Sequence, residues 1–110
     1  MTTDFVHSSH EPTRAEIDAL AGATLLEFGT SWCGHCRAAQ PLIAEALASH
    51  RGIRHVKVED SSGLPLGRSF GVKLWPTLVF LVDGQEVERL VRPRNRRALD
   101  AALDAIAPPA

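Results

Sequence analysis

The spacing of apolar and polar positions changes along this chain, and each change marks an element. Thr13-Arg14-Ala15-Glu16 has the capping-box form, in which a hydroxyl and a carboxylate each satisfy a backbone N–H at a helix start. Ile17, Leu20 and Ala21 give that short helix one apolar face, and Gly22 ends it. Residues 24–28 read as a buried strand interrupted by one acid, Glu27. Ala39, Leu42, Ile43, Ala46 and Leu47 then recur at the helical period, with Pro41 inside the run and Gly52 as a stop. Residues 53–59 alternate around Val56 and Val58, which predicts a second strand.

Residues 61–71 are rich in Gly, Ser and Pro, with room for one short helix at 66–70. The uninterrupted apolar run at 78–82 predicts a strand buried on both faces. Asp83-Gly84 is a favoured two-residue hairpin turn, so residues 86–91 should return antiparallel. Asn95 can cap a last helix whose apolar face is Leu99, Ala102, Leu103 and Ile106. Together these predict an α/β fold, a central mixed sheet flanked by helices on both faces. One domain over residues 1–110 is expected, with 1–12 as a loose arm or an edge strand.

Composition narrows the function classes. The chain of 110 residues is 45% hydrophobic with net charge -1, so bulk attraction to nucleic acid or to a membrane surface is not expected. No stretch approaches the roughly 20 apolar residues of a membrane span. The first residues show no basic segment followed by an apolar one, so no signal peptide is expected and the reading is cytoplasmic. In that compartment two cysteines point to catalysis or metal binding rather than to a structural staple. Arg89, Arg92, Arg94, Arg96 and Arg97 form the one charge cluster. A solvated strand end explains it, or a surface that steers acidic substrates.

Both cysteines lie in Ser31-Trp32-Cys33-Gly34-His35-Cys36, between a predicted strand and a predicted helix. A thiol at a helix start lies near free N–H groups and the positive end of the dipole, which favour the thiolate. Cys36, three residues on, falls on the same face and within reach of a disulfide with Cys33. Gly34 allows close backbone approach, and His35 can supply positive charge or a donor to the thiolate. Half of a zinc site remains the other reading of such a pair. With no second pair, its ligands would have to come from scattered histidines, so no metal is expected.

From about residue 13 onward the chain resembles the thioredoxin family. Trp32-Cys33-Gly34-x-Cys36 is similar to the family's active-site motif, and Pro41 to the kink proline of the following helix. Phe70-Gly71-Val72-Lys73 followed by Trp75-Pro76-Thr77 is similar to the segment leading to its cis-proline, and Asp83-Gly84 to its hairpin turn. The resemblance implies a thioredoxin fold and a protein-disulfide oxidoreductase, with a redox-active Cys33–Cys36 disulfide and no other cofactor. Cys33 would attack a substrate disulfide, Cys36 would resolve the mixed disulfide, and Pro76 would sit in cis against the dithiol. The exposed backbone of Trp75 would pair with an extended substrate segment, and Trp32 would border it. The Trp75 ring is either a substrate platform or a core plug. Glu27 matches a buried acid, usually aspartate, that moves the proton of the second cysteine, and Lys57 matches its lysine neighbour. A carboxylate in an apolar strand beside a lysine suits a proton acceptor near neutral pH.

The implied partners are disulfide-containing proteins and a thioredoxin-reductase-like donor, with the chain acting as a monomer. Three departures bear on direction. Gly34-His35 replaces the usual Gly-Pro and is the dipeptide of protein disulfide isomerases, whose potential is about -180 mV against about -270 mV for thioredoxin. Glu27 is one methylene longer than aspartate, and Arg92 stands where a glycine often borders the substrate groove. The main expectation is a reductase of protein disulfides. The alternatives are an oxidase or isomerase in an oxidising compartment, and a binding or chaperone module whose dithiol is incidental.

Overall fold

The computed structural model describes residues 11–60 and 64–109, so the reading of the first residues as an arm or edge strand lies largely outside the described part. Glu11 and Pro12, which are described, belong to no helix or strand. Helix α1 covers Arg14–Asp18, and its capping box is formed: Thr13 Oγ1 accepts from the Glu16 N–H at 3.1 Å, and Glu16 Oε1 accepts from the Thr13 N–H at 2.8 Å. The helix is shorter than the apolar spacing predicts. Ile17 is buried, but Ala21 lies past its end and is exposed.

Strand β1 (Ala23–Gly29) is followed by α2 (Gly34–Ala48), β2 (Ile53–Glu59) and α3 (Pro65–Ser69). The hairpin β3 (Thr77–Val82) and β4 (Gln85–Val91) and the helix α4 (Arg96–Ile106) complete the chain. The sheet order is β2-β1-β3-β4. β1 and β2 are parallel across the α2 crossover, while β3 is antiparallel to β1 and to β4. The mixed sheet and flanking helices are those expected.

Period-two alternation divides the core between two faces. Ala23, Leu25, Leu78 and Phe80 face α2 and α4, where they meet Ile43, Ala46, Leu99 and Leu103. Leu26, Phe28, Val79 and Leu81 face the other way, against Ile17, Leu66 and Phe70. Full burial of each such side chain contributes about 1.5–3 kcal/mol, so the two layers together hold the sheet in place.

Asp83 (φ 49°) and Gly84 (φ 79°) both take left-handed backbone, the conformation a two-residue hairpin needs. A Cβ at Gly84 would lie 2.0 Å from the Asp18 carbonyl oxygen, so glycine is required there. Beyond the turn the β3–β4 register slips between Phe80 and Leu81, leaving Val87 without a cross-strand partner. Asn95 caps α4 by accepting from the Ala98 N–H at 3.0 Å.

The topology decides where chemistry can collect. The C-terminal ends of β1, β2 and β4 and the N-terminal end of β3 lie at the same edge of the sheet. That edge carries the 30–33 loop, the first turn of α2, Asp60, Trp75-Pro76 and Arg92.

Candidate active site

Cys33 is the N-cap of α2, with extended backbone (φ -82°, ψ 122°), so its sulfur stands over the first turn of the helix. The Cys36 N–H donates to Cys33 Sγ at 3.3 Å, using one of the helix's open donors on the thiol itself. Both cysteines are free thiols. They differ in access: Cys33 is 8% exposed, whereas Cys36 is fully covered.

Their ionisation differs more. Burial works against ionising Cys33, but the Cys36 thiol, the backbone N–H groups of Cys36 and His35, and the Arg92 charge together hold its pKa below the ordinary thiol value. Cys36 is pushed up to about 12, first by burial, then by its hydrogen bond with Cys33 and by the charges of Cys33 and Glu27. The outer sulfur is thus an anion in waiting, and the inner one holds its proton.

Beneath Cys36 lies Glu27, fully buried on the α2 side of β1. Its carboxylate is bonded on both oxygens. Gln40 Nε2 donates to Oε2 at 2.8 Å, and His55 Nε2 lies 2.7 Å from Oε1. Gln40 also donates to the Cys36 carbonyl at 3.0 Å, which ties the carboxylate to the first turn of α2. Lys57 pairs with Glu27 in strand register, and its Nζ donates to Gln40 Oε1 at 2.8 Å. Glu27 and Lys57 therefore join one network with Gln40 and His55, two residues the motif reading missed. Gln40 was reachable from spacing alone, since it is one helical turn beyond Cys36.

The tryptophans frame the dithiol. Trp75 is half-buried and packs against both cysteines. Trp32 is 63% exposed and meets Trp75 edge-on, with centroids 5.5 Å apart. Trp75 Nε1 donates to Asp60 Oδ2 at 2.8 Å, which fixes the ring against the dithiol. Burial pushes the Asp60 carboxyl up from its ordinary value, and the indole bond partly offsets this. No sequence pattern singled out Asp60.

Trp75-Pro76 is a cis peptide, and Pro76 is buried. The open Trp75 backbone expected for substrate pairing is partly occupied, because Arg92 Nε donates to the Trp75 carbonyl at 2.8 Å. Arg92 itself sits at φ 52°, in left-handed backbone where glycine would be unstrained. Outside its chain neighbours and its own helix, no atom lies within 4 Å of a Cβ built at Gly34. His35 is exposed, and its side chain faces a cleft toward Arg92 and Arg94.

Among the described residues no group of three or more His, Cys, Asp or Glu side chains is arranged to hold a metal. His55 is engaged with Glu27, and His50 with Asp104. No described helix is long and apolar enough to cross a membrane.

Comparison with known proteins agrees with this arrangement. The family model described as Thioredoxin matches residues 5–105. The thioredoxin of Listeria monocytogenes is 32% identical over 91 residues, covering 81% of this chain and 87% of that protein. Thioredoxin-1 of Caenorhabditis elegans is 36% identical over 66 residues, 60% of this chain and 57% of its own. The structure of reduced thioredoxin 2 from Pseudomonas aeruginosa PAO1 superposes with a TM-score of 0.84, at 55% identity over 96% of each chain. A paired dithiol at a helix start, a cis-proline next to the tryptophan that packs on it and these relatives place the chain in the thioredoxin family, as a thiol–disulfide oxidoreductase with protein-disulfide reductase activity.

Proposed function

We propose that Cys33 is the attacking thiol and Cys36 the resolving one, with Glu27 taking the proton of Cys36. The opposed ionisation of the two sulfurs carries this assignment: the accessible thiol is favoured as an anion, and the covered one is held protonated. Cys33 thiolate attacks one sulfur of a substrate disulfide, forming a mixed disulfide and expelling the other sulfur as a thiolate. Cys36 then loses its proton toward Glu27 and attacks Cys33 Sγ. The Cys33–Cys36 disulfide forms, the second substrate thiol leaves, and two electrons have passed to the substrate. A thioredoxin-reductase-like donor returns them. Lys57 and Gln40 orient the carboxylate, Gly34 and His35 set the stability of the thiolate, and Trp32, Trp75 and Pro76 border the substrate.

This reading places the protein in the cytoplasm as a monomeric reductase. Insulin reduction with dithiothreitol tests it: acceleration should disappear in a Cys33→Ser variant, and no acceleration by the parent would end the catalytic reading. A second reading, as oxidase or isomerase, draws on the same stabilised thiolate, since favouring the reduced form makes the disulfide a stronger oxidant. The reduction potential separates the two. A value near about -270 mV supports the reductase, and one near about -180 mV the alternative.

A further inference from the structure

The arginine cluster does not act as one patch. Arg89 is neutralised by Glu86, with contacts of 2.8 and 2.9 Å. Arg96 is held by Asp100 at 3.2 Å and lies 3.6 Å from Glu45. Arg92 and Arg94 have no carboxylate within ion-pair distance among the described residues. These two, with His35, line a cleft of about 340 Å³ between α2 and the segment joining β4 to α4. Its remaining walls include Ala38, Leu42 and Pro93, and no acid lines it.

Arg92 is also held in place. Its N–H donates to the Pro76 carbonyl at 3.0 Å and its Nε to the Trp75 carbonyl at 2.8 Å, so the guanidinium is fixed before any ligand arrives. The cleft adjoins the dithiol: His35, two residues from Cys33, lines it, and Arg92 is bonded to Trp75, which packs on the cysteine pair.

We infer that this cleft is a subsite for an acidic side chain of the substrate, next to the disulfide under attack. The inference rests on the reading of the protein as a disulfide reductase and adds a specificity to it. The volume is near the low end of ligand pockets, roughly 300–1,000 Å³, and suits a side chain or two rather than a cofactor. A carboxylate entering it meets Arg92 and Arg94, while its methylenes lie on Ala38, Leu42 and Pro93. Bonds to a carboxylate in such a place are charge-assisted and stronger than neutral ones.

The test uses two disulfide-bonded peptides identical except for Glu or Lys two residues from a cysteine, plus a Gln version as the neutral reference. Reduction is followed with dithiothreitol as electron source. At low salt the parent protein should favour the Glu peptide over the Lys peptide by about tenfold in kcat/KM, expressed in KM, and less at high salt. Arg94→Glu should reverse the order of the Glu and Lys peptides, each rate being taken relative to that variant's own rate on the Gln peptide. Arg97→Glu makes the same charge change away from the cleft and should keep the parent preference within about twofold. Equal kcat/KM for the Glu and Lys peptides would overturn the subsite. So would an equal response to Arg94→Glu and Arg97→Glu, which would make the effect one of overall charge. Failure to reduce any of the three peptides faster than a Cys33→Ser variant would instead remove the reductase reading beneath it.

Discussion

Replacing Glu27 by Gln isolates the step at which the inner thiol must ionise. At pH 7 a thiol with a pKa of about 12 is ionised in roughly one molecule in 10⁵, a deficit of about 7 kcal/mol. Part of that deficit disappears once Cys33 carries the substrate, because its hydrogen bond and its charge no longer act on Cys36. Burial, the largest cause, remains. The proton therefore needs an acceptor inside the protein, and Glu27 is the carboxylate whose charge reaches Cys36. A positioned base contributes about 10²–10⁴ in rate. Losing Glu27's charge also makes Cys36 easier to ionise, but that charge is the last of the causes raising it, so the loss of the acceptor should dominate. Glu27→Gln keeps the side-chain length and an oxygen that can accept from Gln40 or His55. It should slow product release by about 10²-fold or more, with attack by Cys33 changed by less than about threefold. Single turnovers with a disulfide peptide, quenched in acid and analysed by mass spectrometry, should show the mixed disulfide accumulating. Release at the parent rate, with no covalent complex, would refute Glu27 as the acceptor.

Three further expectations concern the surroundings. Gly67→Ala places a Cβ 2.3 Å from Asp60 Oδ1 and 2.7 Å from its Cγ, which should loosen the Trp75 indole bond and cost about 1–3 kcal/mol in urea unfolding; an unchanged midpoint would contradict that packing. Asp60 binds its proton more tightly folded than unfolded, so it subtracts stability as pH rises above about 4. Asp60→Asn should accordingly gain on the parent between pH 3.5 and 7, and a constant difference between the two would count against it. His50 is raised because its Nδ1 donates to the Ala46 carbonyl, against the effect of burial, and because Asp104 holds Nε2. Its contribution is complete below the unfolded histidine range near 6.5 and is lost as pH rises through the higher folded value. The parent's advantage over His50→Gln should therefore shrink between pH 6 and 9, and an advantage that grows over that range would reverse the sign.

Much of the fold was legible because local signals and long-range packing agree. The two-residue turn at 83–84, the Asn95 cap and the switch from helical to alternating spacing each demand one conformation, and each occurs. The end of α1 was less legible, since apolar spacing does not show where a five-residue helix stops. The dithiol was visible from its spacing, and the cis-proline and the buried acid from the resemblance to the thioredoxin family. Their partners were not. His55 shares a strand face with Lys57, but nothing in sequence states that a side chain reaches diagonally to Glu27. Asp60 follows a strand without any pattern that joins it to Trp75. Arg92 is visible as a charge, but its left-handed backbone and its hold on Trp75 are products of folding.

The loop before β3 has a consequence for how a substrate is read. Thr77 Oγ1 donates to the Leu74 carbonyl at 2.6 Å, and Arg92 covers the carbonyls of Trp75 and Pro76. Three successive acceptors are thus supplied with donors by the chain itself. Pro76 has no N–H, and no group among the described residues accepts from the Trp75 N–H. Beside the dithiol, this loop speaks to an incoming strand as a donor, through one amide. A disulfide-bearing segment that pairs with this loop is therefore expected to present a carbonyl to the Trp75 amide.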